Sequence, residues 1–284
     1  MKKSFYAVII ISMISSLFFI FGCSDNPTTP AVKSNALGLG SGVEPDESYS
    51  QEQIIAMYDS IKINGQFWFN KILNEGITQD GNFYSQSLRG VTAKFWMHDI
   101  NFPPEYFEDT LCVPVNSLQI NDKYLSLFLD ENVYSDTSIS VFFGTQPNHI
   151  VVSDNVIFPN LDTNFTFYPQ IQFQYPKAGD VIYSNQKTTI RWNGGSKGEV
   201  FFCIYYLLNN GYDIIRLPKR AGFINDDGQF TINSNDLRDT TIFPSGEYLL
   251  RLGRYEIYFP KFSNGKTYSV IGSTDHYIKI TLKH

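Results

Sequence analysis

The spacing of apolar residues changes once along the chain, from a helical period to a period of two. The apolar residues with helical spacing are Ile54, Ile55, Tyr58 and Ile61. Ser50 followed by Gln53 matches a capping box at the start of the same segment. Residues 48–63 are therefore predicted to form one short helix of about three turns. Beyond them, short runs of β-branched and aromatic residues alternate with polar ones, which predicts an all-β protein.

The predicted strands are separated by clusters of Gly, Asn, Asp and Pro. In the first half of the chain we expect strands at 66–73, 91–97, 111–115, 124–129 and 138–143. In the second half we expect them at 165–173, 188–192, 200–208, 212–217, 229–233, 248–252 and 276–282. Asn210-Gly211, between two apolar runs, predicts a hairpin. Short strands with regular turn signals are typical of β-sandwiches. We therefore expect two β-sandwich (Ig-like) domains, at 48–165 and 166–284.

Four segments of the second half share an order of residues with a known class of module. They are Tyr175-Pro176-x-x-Gly179, Thr189-Ile190-x-Trp192, Gly228-x-Phe230-x-Ile232 and Gly246-x-Tyr248-x-Leu250-x-Leu252. The order resembles the Ig- or fibronectin-type modules of bacterial cell-surface proteins, and also the Ig-like domain of fungal cell-wall glucan-assembly proteins. The resemblance implies a sandwich over about residues 170–284, with Trp192 in its core, Gly179 and Gly246 at turns, and Tyr248 at a corner. None of these residues marks an active site.

The N-terminus has the layout of a secretory signal peptide. Lys2 and Lys3 supply positive charge, residues 4–21 are largely apolar, and Gly22-Cys23 follows. An uncleaved membrane helix is the alternative for this segment. Residues 23–47 are rich in Pro, Thr, Ser, Gly and Asn, a composition that buries little apolar surface, so they are predicted to be a flexible linker.

The residues around Cys23 carry a second resemblance. Ile20-Phe21-Gly22-Cys23 resembles the lipobox of bacterial lipoproteins, which implies removal of residues 1–22 and acylation of Cys23. Two or three acyl chains give stable membrane anchoring. Ser24, rather than Asp, follows the cysteine. In the family this implies the outer membrane, while the periplasmic or the external face stays open.

Composition excludes several classes of protein. Charged residues make up 18% of the chain, below the ~25% of an ordinary soluble domain, while aromatic residues make up 16%. Such a chain is too aromatic to be disordered. The formal net charge is −6, and no basic stripe is present to neutralise phosphates, which argues against nucleic acid as a partner. Cys112 and Cys203 are expected to be either two buried thiols or one disulfide.

The motifs of common enzymes are missing from the sequence. There is no zinc-binding His pair, no Gly-x-Ser-x-Gly elbow and no phosphate-binding glycine loop. His98 and Asp99 are adjacent, but neighbours on a strand face opposite sides. Asp226-Asp227-Gly228 fits either a hairpin turn or a Ca²⁺ site. We expect a non-enzyme with no catalytic residues, no metal and no cofactor.

The surplus of aromatic residues suggests a binding surface. Trp96 and Tyr255 share their strands with polar neighbours and are predicted to face outward, and Tyr258 lies beside Tyr255. We expect a membrane-anchored binding or adhesion lipoprotein whose exposed aromatics contact polysaccharide or an envelope protein. One alternative is a periplasm-facing structural or assembly accessory of an envelope complex. Another is an envelope hydrolase whose catalytic groups meet only in the fold.

Overall fold

The computed structural model describes residues 61–78, 81–101, 112–128, 133–153, 157–158, 160–194, 198–209, 214–260 and 266–284. The predicted signal peptide, Cys23, the linker and most of the predicted helix lie outside these residues. Over the described ranges there is no helix, so the all-β prediction is confirmed. Lys62 and Ile63 already belong to the first strand, so the predicted helix does not reach residue 63.

Sixteen strands occupy most of the described chain. They are β1 (Lys62–Ile77), β2 (Phe83–Asn101), β3 (Ser117–Ile120), β4 (Lys123–Tyr124), β5 (Leu127–Phe128), β6 (Val133–Asp136), β7 (Asn148–Ser153), β8 (Leu161–Phe165), β9 (Phe173–Tyr175), β10 (Val181–Tyr183), β11 (Thr188–Trp192), β12 (Glu199–Asn209), β13 (Ile214–Asn225), β14 (Gln229–Ile232), β15 (Gly246–Tyr258) and β16 (Tyr268–Lys283).

The chain divides into two compact units, each assembled from separate stretches of sequence. Unit one holds the described residues up to Lys71, together with Leu88–Gln170 and Tyr255–Ser273. Unit two holds Ile72–Ser87, Ile171–Arg254 and Thr274–His284. The predicted domain boundary between residues 165 and 166 follows sequence order, whereas each unit takes stretches from both sides of that point.

In unit one, two sheets enclose a common core. One sheet has the order β15-β16-β1-β2-β6-β5, and the other has the order β4-β3-β7-β8. Val91, Ala93 and Phe95 alternate along β2 and point into this core, as the period of two predicts. A second apolar cluster is formed by other positions of the first sheet, Ile63, Trp68, Trp96, Ile100, Ile257 and Ile271, together with Cys112 and Phe259. Both faces of that sheet therefore carry buried apolar residues.

Unit two also has two packed sheets. The sheet β14-β11-β9 contributes to one apolar core with β12, β15 and β16 of the sheet β13-β12-β15-β16, whose β16 also pairs with β10 in parallel. Trp192 is buried in this core, as predicted. Gly179 has a φ of 88°, a left-handed turn conformation that favours glycine. The Tyr248 hydroxyl donates a hydrogen bond to the Pro244 carbonyl at 2.8 Å, which agrees with its predicted corner position.

Predicted and observed strands agree best where the sequence alternates regularly. The prediction 188–192 coincides with β11, and 200–208, 248–252 and 276–282 lie within β12, β15 and β16. Asn209 pairs with Ile214 across antiparallel β12 and β13, so the predicted hairpin is confirmed, although Asn210-Gly211 lie outside the described residues. The predicted strand 138–143 and most of 165–173 are wrong, because these segments are irregular.

A side chain replaces a strand partner in the irregular segment around Phe142. The Phe142 N–H donates to Asn148 Oδ1 at 2.9 Å, and Asn148 Nδ2 donates to the Phe142 carbonyl at 2.8 Å. The buried amide thus satisfies both backbone groups, as a ladder would. An apolar run whose backbone is paired in this way looks like a strand in the sequence but does not join a sheet.

Candidate functional site

The aromatic residues that the sequence suggested for binding do not form a surface. Trp96, Tyr255 and Tyr258 are each only 1% exposed. Trp96 belongs to the second apolar cluster of unit one, and the Tyr258 hydroxyl donates to the Thr166 carbonyl at 2.8 Å. The prediction that Trp96 and Tyr255 face outward is wrong, because β2 and β15 lie in a sheet that buries apolar residues on both faces. A buried ring cannot stack on a sugar or a partner.

Exposed apolar side chains lie elsewhere, and several of them are in unit two. Phe83 is 59% exposed and Tyr84 is 40% exposed at the start of β2, and Val181 and Tyr183 are exposed on β10. In unit one Tyr124 and Phe128 are exposed on short strands. The candidate site is built around Phe83 and Tyr84, because backbone and side-chain features coincide there.

The β1–β2 hairpin determines which way the backbone of β2 faces. Thr78 N–H donates to the Asn82 carbonyl at 2.8 Å, and Gly81 N–H donates to the Thr78 carbonyl at 2.9 Å. Thr78 and Asn82 are thus the last hydrogen-bonded pair of the hairpin. Because hydrogen-bonded and non-bonded pairs alternate in antiparallel strands, every second residue of β2 points its N–H and C=O away from β1. These outward-facing residues are Phe83, Ser85 and Ser87.

The outer edge of β2 at Phe83–Ser87, here called the open edge, has no neighbouring strand within the described residues. Further along β2, Val91–Ala93 pair with β6, and Trp96 forms a bridge with Cys112. All five residues of the open edge are exposed and none is charged. Natural sheet edges are usually blocked by Lys, Pro or a bulge, and this segment has no Lys or Pro. Its free N–H and C=O groups can accept another strand.

The ring of Tyr84 packs on a glycine of the neighbouring strand. A Cβ atom on Gly76 would lie 2.6 Å from the Tyr84 hydroxyl oxygen and 2.7 Å from two ring carbons, so the ring lies directly over the glycine backbone. A side chain at position 76 would displace the Tyr84 ring from this position. Successive residues of a strand point to opposite faces of the sheet. The side chain of Glu75 points to the face that carries His276 and β9, so position 76 points to the other face. Tyr84 therefore lies on the opposite face.

A titratable pair, buried His276 and partly exposed Glu75, lies beside the open edge. Glu75 Oε2 is 3.2 Å from His276 Nε2, and the Ser85 hydroxyl is 3.4 Å from Glu75 Oε1. The Phe173 N–H donates to His276 Nδ1 at 2.7 Å, so the proton of the neutral ring is on Nε2, facing Glu75. Burial lowers the pKa of His276 to about 4, although the Glu75 carboxylate opposes this shift. The imidazole is therefore neutral at pH 7.

The Asp226-Asp227-Gly228 segment is not a hairpin turn, because it joins β13 and β14, which belong to different sheets. Asp226 is buried and accepts hydrogen bonds from the Trp192 indole at 2.7 Å and from Arg254. This carboxylate thus neutralises a guanidinium. In the described part of the chain, no group of three or more His, Cys, Asp or Glu side chains is arranged to hold a metal ion.

Other reactive side chains are dispersed. His149 Nε2 lies 2.7 Å from Asp162 Oδ1 on the surface of unit one, and Asp99 accepts a hydrogen bond from Asn64 at 2.6 Å. Cys112 and Cys203 are buried and form no disulfide, so of the two predicted alternatives the structure has the thiols. Burial raises the pKa of Cys203 to about 11, which disfavours the reactive thiolate. Within the described ranges, no helix is long and apolar enough to cross a membrane.

The open edge has a local signal that the predicted strands did not use. Asp80-Gly81 lies between two runs of alternating residues, and this dipeptide is typical of hairpin turns. It indicates the β1–β2 hairpin, but it does not show which side of β2 is covered.

Comparisons with known proteins add no functional information. No protein-family model matches this sequence, and no curated protein is similar to it. The yeast delta-COP-I mu-homology domain is 12% identical, with 78% of this chain and 99% of that chain covered and a TM-score of 0.26. The same domain in complex with a Dsl1 WxWxV peptide has a TM-score of 0.23, at the same identity and coverage. The IG1+IG2 segment of DIP-gamma is 7% identical over 78% of this chain and 98% of its own, with a TM-score of 0.18. Similarity at this level supports no conclusion about fold or function.

Proposed function

We propose that this chain is a lipid-anchored, non-catalytic binding protein of the bacterial cell envelope, and that it binds a protein partner through the open edge of β2. The observation that carries the proposal is a row of five exposed, uncharged residues, three of which (Phe83, Ser85 and Ser87) point their backbone groups away from β1. An extended segment of a partner can add to such an edge, with main-chain hydrogen bonds providing affinity and alternate side chains providing specificity. Phe83 and Tyr84 supply apolar contacts on the two faces.

An Ig-like architecture for unit two forms part of this proposal. The first, second and fifth main strands of an Ig sandwich share one sheet, and β9, β11 and β14 have this relationship here. β12, β15 and β16 then take the places of the three strands of the opposite sheet. Sandwiches of this kind are widespread in cell-surface proteins. Because one fold serves many functions, the binding role rests on the open edge and not on the architecture.

The proposed location rests on the N-terminal sequence. Cys23→Ser in the full chain should abolish lipid attachment and release the protein from the membrane fraction. Cys203→Ser is the matched control, because it removes a buried thiol and leaves the lipobox-like segment intact. Continued membrane association of the Cys23 variant would contradict lipid anchoring. Treating intact cells with an impermeant protease then distinguishes the two faces, because only an external protein is digested before lysis.

The binding proposal is tested by photocrosslinking in cells. A benzoylphenylalanine at position 83 should give a discrete protein adduct, whereas the same group at Tyr124, which is 69% exposed in unit one, should give none. Ser85→Pro in the same chain removes an outward N–H and should abolish the adduct. If position 83 gives no protein adduct while the chain binds glycan arrays through Tyr84, Val181 and Tyr183, the partner is polysaccharide and the open edge is not its site.

A further inference from the structure

From the geometry of the open edge we infer that its partner is the same edge of a second copy of this chain, paired antiparallel about a two-fold axis at Ser85. This inference rests on the proposed function, because it names the protein that occupies the same site. A two-fold interface uses one surface patch on both copies, so the patch must be complementary to itself. Hydrogen bonding, side-chain size and charge each meet this requirement along Phe83–Ser87.

Hydrogen bonding selects the position of the axis. With the axis at Ser85, Ser85 faces its own copy, and Phe83 faces Ser87 of the other chain. All three residues point their N–H and C=O groups outward from the hairpin, so each pair can exchange two hydrogen bonds. If either strand were moved by one residue, residues whose N–H and C=O groups point outward would face residues whose groups point back to β1. Moving it further would leave part of the edge unpaired.

Side-chain size and charge are compatible with the same register. The bulky Phe83 would lie opposite the small Ser87, and Tyr84 would lie opposite Gln86, so no two rings compete for one space. Residues 81–88 contain no charge, and self-pairing therefore brings no like charges together. A charged edge would repel its own copy, which is the usual protection against such pairing. Anchoring of all copies in one membrane would raise their local concentration and favour a short interface.

Cysteine crosslinking tests the register in the full chain, in membranes. Ser85→Cys should form a disulfide-linked dimer on oxidation, because facing residues of a bonded pair lie about 5.5 Å apart between Cα atoms, within disulfide range. Ser87→Cys is the matched control: it is an exposed serine of the same strand and face, but it would lie about 14 Å from its own copy. Mixing Phe83→Cys with Ser87→Cys chains should give a heterodimer crosslink. The unsubstituted chain should give none of these products.

The outcomes separate the two proposals. A dimer with Ser85→Cys but not with Ser87→Cys supports self-pairing, provided that the melting curves of both variants match that of the unsubstituted chain. Equal crosslinking of both variants, or of neither, overturns it. If self-pairing fails but the photocrosslinker at position 83 captures a different protein, the proposed function stands with another partner. If both experiments fail, the open edge is not a binding site.

Discussion

Arg254 contacts both carboxylate oxygens of Asp226: its Nε lies 2.8 Å from Oδ2, and its Nη2 lies 3.0 Å from Oδ1. Both side chains are buried. The same carboxylate accepts a hydrogen bond from the Trp192 indole at 2.7 Å. Such a fork is a strong, directional contact, and here it joins β11, β15 and the segment that leaves β13. Asp226, which in the sequence looked like part of a turn or a cation site, is thus in the interior of unit two, whereas Asp227 is exposed.

Arg254→Met should destabilise the protein by about 3–5 kcal/mol, because it leaves a buried carboxylate without its cation. Asp226→Asn in the same chain should recover part of this loss, since a neutral amide costs less to bury. Chemical denaturation of the single and double variants measures both effects. If the single and the double variant are equally stable, the charge of Asp226 is not the reason that Arg254 is needed.

Trp192→Ala should destabilise unit two by about 3–5 kcal/mol, because it removes a large ring from a close-packed core. Trp192→Phe keeps most of the packing but loses the hydrogen bond to Asp226, so a smaller loss of about 1–3 kcal/mol is expected. Thermal and chemical unfolding compare the two. An unchanged melting curve for the alanine variant would contradict the core position of the ring.

Stability should depend on pH through His276. Its pKa is about 4 in the folded chain, below the ordinary value of 6.5, and Glu75 and Lys177 are the charged groups that act on it. Between these values the unfolded chain binds a proton that the folded chain does not. The free energy of unfolding therefore falls as the pH drops from 6.5 towards 4, by an amount on the order of 3 kcal/mol. Denaturation curves at pH 7 and pH 5 measure the slope, and His276→Gln should flatten it.

Trp96→Ala should cost about 3–5 kcal/mol, although the sequence pattern suggested an exposed ring. The matched control is Tyr124→Ala, since that ring is 69% exposed and its removal should change stability by less than about 0.5 kcal/mol. Melting temperatures of the two variants decide the matter. A similarly small change of melting temperature in both variants would contradict the buried position of Trp96.

Gly272→Ala should destabilise unit one by about 1–3 kcal/mol through overpacking. A Cβ at this position would lie 2.1 Å from Phe167 Cδ1, and the Phe167 ring is buried and cannot move away. Gly222→Ala is the control, because a Cβ there would meet no heavy atom within 4 Å. The difference between the two unfolding free energies isolates the steric effect from the general cost of replacing glycine.

Local pattern predicts much of unit two and less of unit one. The prediction 188–192 coincides with β11, because its apolar residues alternate and Gly-containing segments follow it. Residues 138–143 are also rich in apolar residues, yet the side chain of Asn148, and not a strand, pairs with the backbone of Phe142. A sequence pattern records which residues are apolar, but it does not record which groups satisfy the backbone.

The sequence by itself determined the all-β class, the hairpin after β12 and the buried position of Trp192, since each depends on short-range alternation or on turn residues. Only the tertiary structure decided that Trp96 and Tyr255 are buried and that the edge at Phe83–Ser87 is open. Whether a face or an edge is covered depends on segments far away in the chain. Glu75 and His276, for example, are about 200 residues apart in sequence and 3.2 Å apart in space. That separation is why the candidate site emerged from the fold and not from the residues suggested by composition.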